Sequence, residues 1–87
     1  MSQHKIEQIL RDPFPASIYP QLNQLERNIA KMAVIDGMTA EQISEALGSP
    51  KGTVDTYFTH VYKALGVRRP KWAKLVFDRI RKALGGD

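Results

Sequence analysis

Residues 39–50 read TAEQISEALGSP, and this stretch carries the strongest indication of the fold. Thr39 and Gln42 have the spacing of a capping box, in which two side chains satisfy backbone amides at the start of a helix. The sequence therefore predicts a short amphipathic helix over Ala40–Leu47. Gly48 is the expected stop, because glycine adopts the left-handed backbone conformation at little cost.

A second helix is predicted only a few residues later. Ser49 is expected to cap its N-terminus, and Pro50 suits its first position, where a missing N–H does no harm. Gly66 ends it. The apolar residues along one face of this helix are Val54, Phe58, Val61 and Leu65. Two short helices joined by a tight turn match the helix-turn-helix plan, whose second helix enters the major groove of DNA.

Helix signals recur outside this motif, whereas strand signals are weak. Apolar spacing predicts a short helix over Gln3–Arg11, a longer one over Gln21–Ile35 and a last one over Pro70–Leu84. We therefore expect an all-α fold, a small helix-turn-helix domain of four helices over residues 21–87. A short N-terminal helix and a proline-rich linker segment occupy residues 1–20. The apolar linker side chains expected to lie against the domain are Phe14, Ile18 and Tyr19.

Length and composition exclude several classes of protein. The chain has 87 residues, enough for one small domain, and no cysteine, so disulfides and thiol chemistry are excluded. No nucleophile–base arrangement, phosphate-cradling glycine loop or ligand-spaced histidine pair occurs. We expect no enzyme, no metal and no cofactor. No apolar run approaches the roughly 20 residues that cross a bilayer, and no signal peptide opens the chain, so a soluble intracellular protein is expected.

Charge is distributed unevenly along the chain. The formal net charge is +4, but residues 1–50 hold four basic and six acidic side chains, whereas residues 51–87 hold nine basic and three acidic ones. Such asymmetry suggests a polyanionic partner for the second half. The alternative is that these lysines and arginines only keep exposed helices soluble and bind no partner.

Four stretches of the sequence are similar to the LuxR-type (GerE-like) DNA-binding domain of bacterial regulators. Residues 22–26 (LNQLE) look like the family's Leu-Thr-x-x-Glu, and residues 37–48 (GMTAEQISEALG) resemble its Gly-Leu-Ser-x-x-Glu-Ile-Ala-x-x-Leu-Gly. Residues 53–57 (TVDTY) and 64–67 (ALGV) resemble its Thr-Val-Lys-x-His and Lys-Leu-Gly-Val. The resemblance covers 46 residues, Leu22–Val67, in the family's order. It implies a four-helix domain that binds promoter DNA and often dimerises through its last helix, here as a short stand-alone member.

The chain departs from the family pattern at three places. The helix before Gly37 is about one residue longer than usual, and Tyr57 stands where histidine is common. Asp55 stands where the family usually has a lysine facing DNA. A carboxylate there is repelled by phosphate, yet it can accept a hydrogen bond from the N4 amine of cytosine. The reversal of charge means either an altered base preference or a lost DNA function.

Polar and basic residues on and after the second helix of the motif are candidates for DNA contact. Those for base edges are Asp55, Thr56, Thr59 and His60, and those for phosphates are Thr53 and the basic residues. The candidates are Lys51, Thr53, Asp55, Thr56, Thr59, His60, Lys63, Arg68, Arg69 and Lys71, with Lys74 as a further phosphate contact. The apolar face of the last helix is expected to contribute a dimer interface of Trp72, Val76, Arg79 and Ile80.

The leading hypothesis is a cytoplasmic, nucleoid-associated regulator from a bacterium or phage. It would bind specific double-stranded DNA as a homodimer, with residues 50–65 in the major groove. A second hypothesis is an anti-activator that pairs with a larger transcription regulator through the last helix. A third is a fragment similar to region 4 of sigma-70 factors, which the apolar last helix disfavours. Residues 1–20 would brace the domain, extend a dimer interface or touch RNA polymerase.

Overall fold

The computed structural model describes residues 2–85, which form five α-helices, one 3-10 turn and no strand. The predicted all-α class is confirmed. The elements are α1 (Ser2–Arg11), α2 (Gln24–Val34), α3 (Ala40–Leu47), α4 (Lys51–Leu65), a 3-10 turn (Arg69–Lys71) and α5 (Trp72–Ala83).

Helices α2, α3 and α4 form a three-helix unit around one small core. Each helix contributes one fully buried side chain to it, namely Ile29, Ile43 and Val54. The predicted apolar stripe of α4 faces inward, with Val54 and Val61 buried and Phe58 half-buried. Since the stripe fixes which side of α4 is inside, it also fixes which side meets solvent.

A second core cluster joins α1, the proline-rich segment and α5 to this unit. It contains Ile9, Phe14, Leu22, Trp72 and Val76, all buried. The described part of the N-terminal segment, residues 2–20, therefore braces the helical unit and shares its interior through Ile9 and Phe14. Tyr19 packs edge-on against the Phe14 ring with centroids 5.6 Å apart. The prediction that Ile18 lies against the domain is wrong, because its side chain is 50% exposed.

Helix α2 begins three residues later than predicted, at Gln24 rather than Gln21. Asn23 caps it: its side-chain oxygen accepts the Glu26 amide at 2.8 Å, and Glu26 Oε1 accepts the Asn23 amide at 2.9 Å. This capping box fixes the start of the helix, because it satisfies two otherwise unpaired donors. The chain leaves α2 through Gly37 at φ +63°, as the predicted glycine stop requires.

The turn between α3 and α4 is built differently from the prediction at one residue. The capping box of Thr39 and Gln42 and the left-handed Gly48 (φ +66°) are confirmed. Ser49, however, is not the cap of α4. Its amide donates to the Ser44 carbonyl at 3.0 Å and its carbonyl accepts the Ser44 hydroxyl, so Ser49 closes the turn. Pro50 takes the cap position instead, and its carbonyl accepts the amides of the first turn.

The prediction for the last helix needs a correction at the expected dimer residues. Trp72 and Val76 lie in the core, and the Trp72 Nε1–H donates to the Val67 carbonyl at 2.8 Å. Arg79 is half-buried and donates to the Pro13 carbonyl at 2.6 Å, and Ile80 packs beside the same cluster. The face nominated for a second molecule is therefore largely occupied by α1 and the proline-rich segment. The apolar side chains that α5 and its end expose are Phe77 (66%) and Leu84 (63%).

None of the helices described between residues 2 and 85 is long and apolar enough to span a membrane.

Candidate nucleic-acid interface

The solvent side of α4 carries a stripe of small and polar residues, which we call the outward stripe: Gly52, Thr56, Thr59 and Lys63. Each of these residues precedes a residue of the apolar stripe by two positions. Two positions correspond to a rotation of about 200° around an α-helix, so the outward stripe lies on the opposite side of α4. All four residues are exposed. The Thr56 and Thr59 hydroxyls donate to the carbonyls of Gly52 and Asp55, both at 3.1 Å. Their oxygens keep lone pairs directed to solvent, and the hydroxyls can rotate toward a new acceptor.

Helical periodicity places Asp55 and Tyr62 along one edge of the outward stripe, and Thr53 and His60 along the other. Asp55 is exposed and takes part in no ion pair within residues 2–85. Its carboxylate is therefore available to a hydrogen-bond donor from outside the protein. The predicted base-contact residues thus lie on one continuous helix surface, but His60 is held differently from the others.

The His60 ring is anchored to α2. Its Nδ1 lies 3.1 Å from Oε2 of Glu26, whose side chain is only 9% exposed. An ionised carboxylate can only accept a hydrogen bond, so this contact suits a form of His60 that carries a proton on Nδ1. The other side of the ring stays open, with 55% of the His60 side chain exposed. His60 therefore links the outward edge of α4 to the capped start of α2.

Two arginines after α4 are held against its aromatic residues. The guanidinium carbon of Arg69 lies 4.8 Å from the Phe58 ring centroid, and that of Arg68 lies 6.0 Å from the Tyr62 centroid. Both distances are within the range of cation–π attraction. Both arginines remain exposed, so their charges still face solvent. These contacts set two cations beside the C-terminal half of α4.

The electrostatic balance of this surface is positive. Residues 51–71 contain five basic side chains and one acidic side chain, Asp55. All predicted phosphate contacts in this range are exposed: Lys51, Thr53, Lys63, Arg68, Arg69 and Lys71. Helix α4 has no side-chain cap and no acidic residue in its first turn, so the positive end of its dipole is not neutralised locally.

Two features of the site were missed by sequence reasoning. The Asn23–Glu26 pair has the spacing of a capping box and was recognisable in the sequence. The contact between Glu26 and His60 joins residues 34 positions apart, and no local pattern indicates it. Within residues 2–85 the structure shows no group of three metal-ligating side chains.

No family model matches the chain, and comparisons with curated proteins and with solved structures find no match either. The resemblance to the LuxR-type domain therefore stays a prediction, and the site geometry carries the functional proposal.

Proposed function

We propose that the protein is a sequence-specific regulator of transcription that binds double-stranded DNA through the outward stripe of α4. The observation that supports this most is the arrangement of α2, α3 and α4 around Ile29, Ile43 and Val54. That arrangement holds a 15-residue helix with its polar side fully exposed and cations beside it.

The composition of the outward stripe suits a groove. Helix α4 is about 22 Å long at 1.5 Å per residue, and an α-helix fits the roughly 12 Å wide major groove. Gly52, Thr56 and Thr59 are small, so the helix backbone can come close to base edges. Threonine hydroxyls can contact any base pair, and Asp55 can accept from the N4 amine of cytosine. Asp55 would therefore act as a selector among sequences, at a cost in general affinity.

The exposed cations would hold the phosphates on either side of the groove. Lys51 lies at the start of α4, and Arg68, Arg69 and Lys71 follow its end. Contacts of this kind fix the position of a protein on the duplex without reading sequence. His60 would contribute less than a free histidine, because one ring nitrogen is engaged by Glu26.

The proposed dimer uses a revised surface. Because Trp72 and Val76 are buried, a second copy would meet the exposed side of α5, where Phe77 and Leu84 lie in solvent and the half-buried Ile80 borders them. A two-fold dimer would read two half-sites about 10 base pairs apart, or a multiple of that spacing. Such a regulator would act in the cytoplasm, on the nucleoid.

Selection of binding sequences from random duplexes tests the proposal. We expect an enriched duplex whose affinity falls steeply with salt, since phosphate contacts release counterions. Lys51→Glu and Arg69→Glu should weaken binding to all sequences together, whereas Asp55→Ala should change the enriched sequence. Absent binding, or binding insensitive to salt, would contradict the proposal.

A protein-binding anti-activator is the second candidate. It is favoured by the carboxylate of Asp55 beside the outward stripe and by the exposed Phe77 and Leu84. Co-purification of a larger transcription regulator, with no retention of duplex DNA by the pure protein, would support it. A homodimer that shifts DNA alone would exclude it.

A further inference from the structure

A second basic surface lies away from α4. The structure contains two adjoining grooves that share Arg11 and Asp12, one between α1 and the end of α5 and one between the proline-rich segment and α2. The larger has a volume of about 650 Å³ and the smaller about 240 Å³. No residue of α3, α4 or the 3-10 turn lines either groove. We call the larger one, with its continuation along α2, the basic groove.

The fold gathers scattered charges at this place. Residues 1–50 hold four basic side chains among six acidic ones, and all four line the basic groove. Two more come from α5, so its cations are Lys5, Arg11, Arg27, Lys31, Arg79 and Lys82. Asp12 is the one carboxylate among the lining residues, and the other acidic residues of the first half lie elsewhere. Residues 1–50 have a negative net charge, yet all of their basic side chains line one groove.

These cations are mostly unneutralised by the protein itself. Ion pairs among residues 2–85 involve His60, Lys74 and Arg81, none of which lines the groove. Arg79 donates to the Pro13 carbonyl, and Arg27 donates to the Leu22 carbonyl and the Gln24 side chain. Like charges brought together without partners repel one another, so an anionic ligand would lower the free energy of this surface.

The lining of the groove discriminates between anionic ligands. Its larger part has apolar surface between the cations, from the half-buried Pro15 and Ala83, which a sugar-phosphate backbone would not use. Single-stranded nucleic acid is held by stacking on aromatic side chains, and no aromatic residue lines either groove. A small anionic metabolite calls for an enclosed pocket with a few precisely placed polar groups, whereas this groove is open and lined by long mobile side chains.

We propose that the basic groove docks an acidic peptide segment of a partner protein, in which carboxylates alternate with apolar residues. The carboxylates would meet the cations on its rims, and the apolar side chains would cover Pro15 and Ala83. The larger part, about 650 Å³, gives room for a few residues of such a segment, and the smaller part continues along α2. This site is independent of DNA binding by α4.

Titration of the full chain with synthetic peptides tests the proposal. The probe is a peptide of about 12 residues in which glutamate and leucine alternate, long enough to span roughly 40 Å when extended. An all-glutamate peptide and an alternating lysine–leucine peptide of the same length serve as comparisons. We expect the glutamate–leucine peptide to bind most tightly, the all-glutamate peptide more weakly and the lysine–leucine peptide not at all. Backbone amide NMR shifts should concentrate at Lys5, Arg11 and Arg79.

A matched pair of double variants makes the test specific. Lys5→Gln with Lys82→Gln removes two charges from the groove, and Lys74→Gln with Arg81→Gln removes two exposed charges outside it. The first pair should weaken peptide binding about fivefold or more, a loss of about 1 kcal/mol, and the second less than about twofold. Equal losses in both pairs, no binding of the glutamate–leucine peptide, or shifts confined to α4 would overturn the proposal. A loss of duplex binding in the groove pair as large as the loss of peptide binding would overturn it too, since the groove would then be a DNA contact.

Discussion

His60 on α4 lies 3.1 Å from Glu26 on α2, measured from Nδ1 to Oε2, and the other oxygen of the same carboxylate caps α2 by accepting the Asn23 amide. One buried carboxylate therefore takes part both in the cap of α2 and in the contact between α2 and α4. Because α4 carries the proposed DNA contacts, this pair positions the reading surface without itself belonging to the outward stripe.

A double-mutant cycle tests the contribution of this pair to stability. Glu26→Ala should lower the free energy of unfolding by about 1–2 kcal/mol, because it removes the cap acceptor and the partner of His60. His60→Ala should cost less than about 1 kcal/mol, since the ring is more than half exposed. Urea unfolding of both variants and their combination should give a coupling of about 0.5 kcal/mol. If the losses of stability in the two single variants add up to the loss in the double variant, the contact between Glu26 and His60 contributes nothing.

Two glycines in the turn region should respond oppositely to the same change. Gly48 has φ +66°, so Gly48→Ala should destabilise the fold by about 1 kcal/mol through backbone strain. Gly52 lies within α4 with open space at its Cβ position, so Gly52→Ala should stabilise it by about 0.5–1 kcal/mol. Chemical denaturation of both variants measures the difference. A loss of stability in Gly52→Ala would show that this position is not an ordinary exposed helix site.

The bracing role of the proline-rich segment predicts a large effect at one residue. Phe14 is fully buried in the core cluster that also contains Trp72 and Val76 of α5, so Phe14→Ala should cost about 3–5 kcal/mol. Ile18→Ala, four residues away at a half-exposed site, is the control and should cost less than about 1 kcal/mol. Thermal unfolding distinguishes the two variants. Similar losses would contradict the placement of Phe14 in the shared core.

The carboxyl of Asp78 predicts a pH dependence with a definite sign. The hydrogen bond from Arg81 is the main cause that holds the pKa of Asp78 below its ordinary value, and Lys74, 3.5 Å away, adds to it. Because the pKa of Asp78 is lower in the folded protein than in the unfolded chain, its ionised form stabilises the fold. This stabilisation is complete above the pKa of the unfolded chain and is lost as pH falls through the pKa of the folded protein. Because Asp78 is open to solvent, the contribution is small.

Carboxyl NMR titration checks this assignment directly. Arg81→Gln should raise the pKa of Asp78 toward its ordinary value, and Lys74→Gln should raise it by less. A larger rise in Lys74→Gln than in Arg81→Gln would reverse the assigned order of causes.

Local signals predicted the motif itself accurately. The bounds of α3 and the left-handed Gly48 follow from Thr39, Gln42 and the glycine, all within ten residues of one another. The inward side of α4 was also correct, because its apolar stripe is narrow and unambiguous. The residue that caps α4 was harder to predict, because Ser49 and Pro50 both suit a helix start. The hydrogen bonds between Ser44 and Ser49 occupy Ser49 in the turn, so Pro50 takes the cap position.

Non-local packing explains the remaining differences. The apolar residues of α5 cover a wide arc, so sequence alone could not say which part meets the core. Trp72 turned inward against the Phe58 ring of α4, with centroids 5.8 Å apart, and Val76 joined the buried cluster that contains Phe14, whereas Phe77 was left in solvent. The contact of Glu26 with His60 and the gathering of cations in the basic groove likewise depend on how separate helices meet.

The most direct test of the central claim is the affinity of two single-charge variants for the duplex enriched by selection. Thr56→Glu adds a carboxylate to the centre of the outward stripe, whereas Gln21→Glu adds one at an exposed site before α2. If α4 reads DNA through this stripe, Thr56→Glu should weaken binding about tenfold or more, a loss of at least about 1.4 kcal/mol, and Gln21→Glu less than about twofold. Equal effects of the two variants, with both proteins folded, would contradict the claim that the outward stripe is the DNA-reading surface.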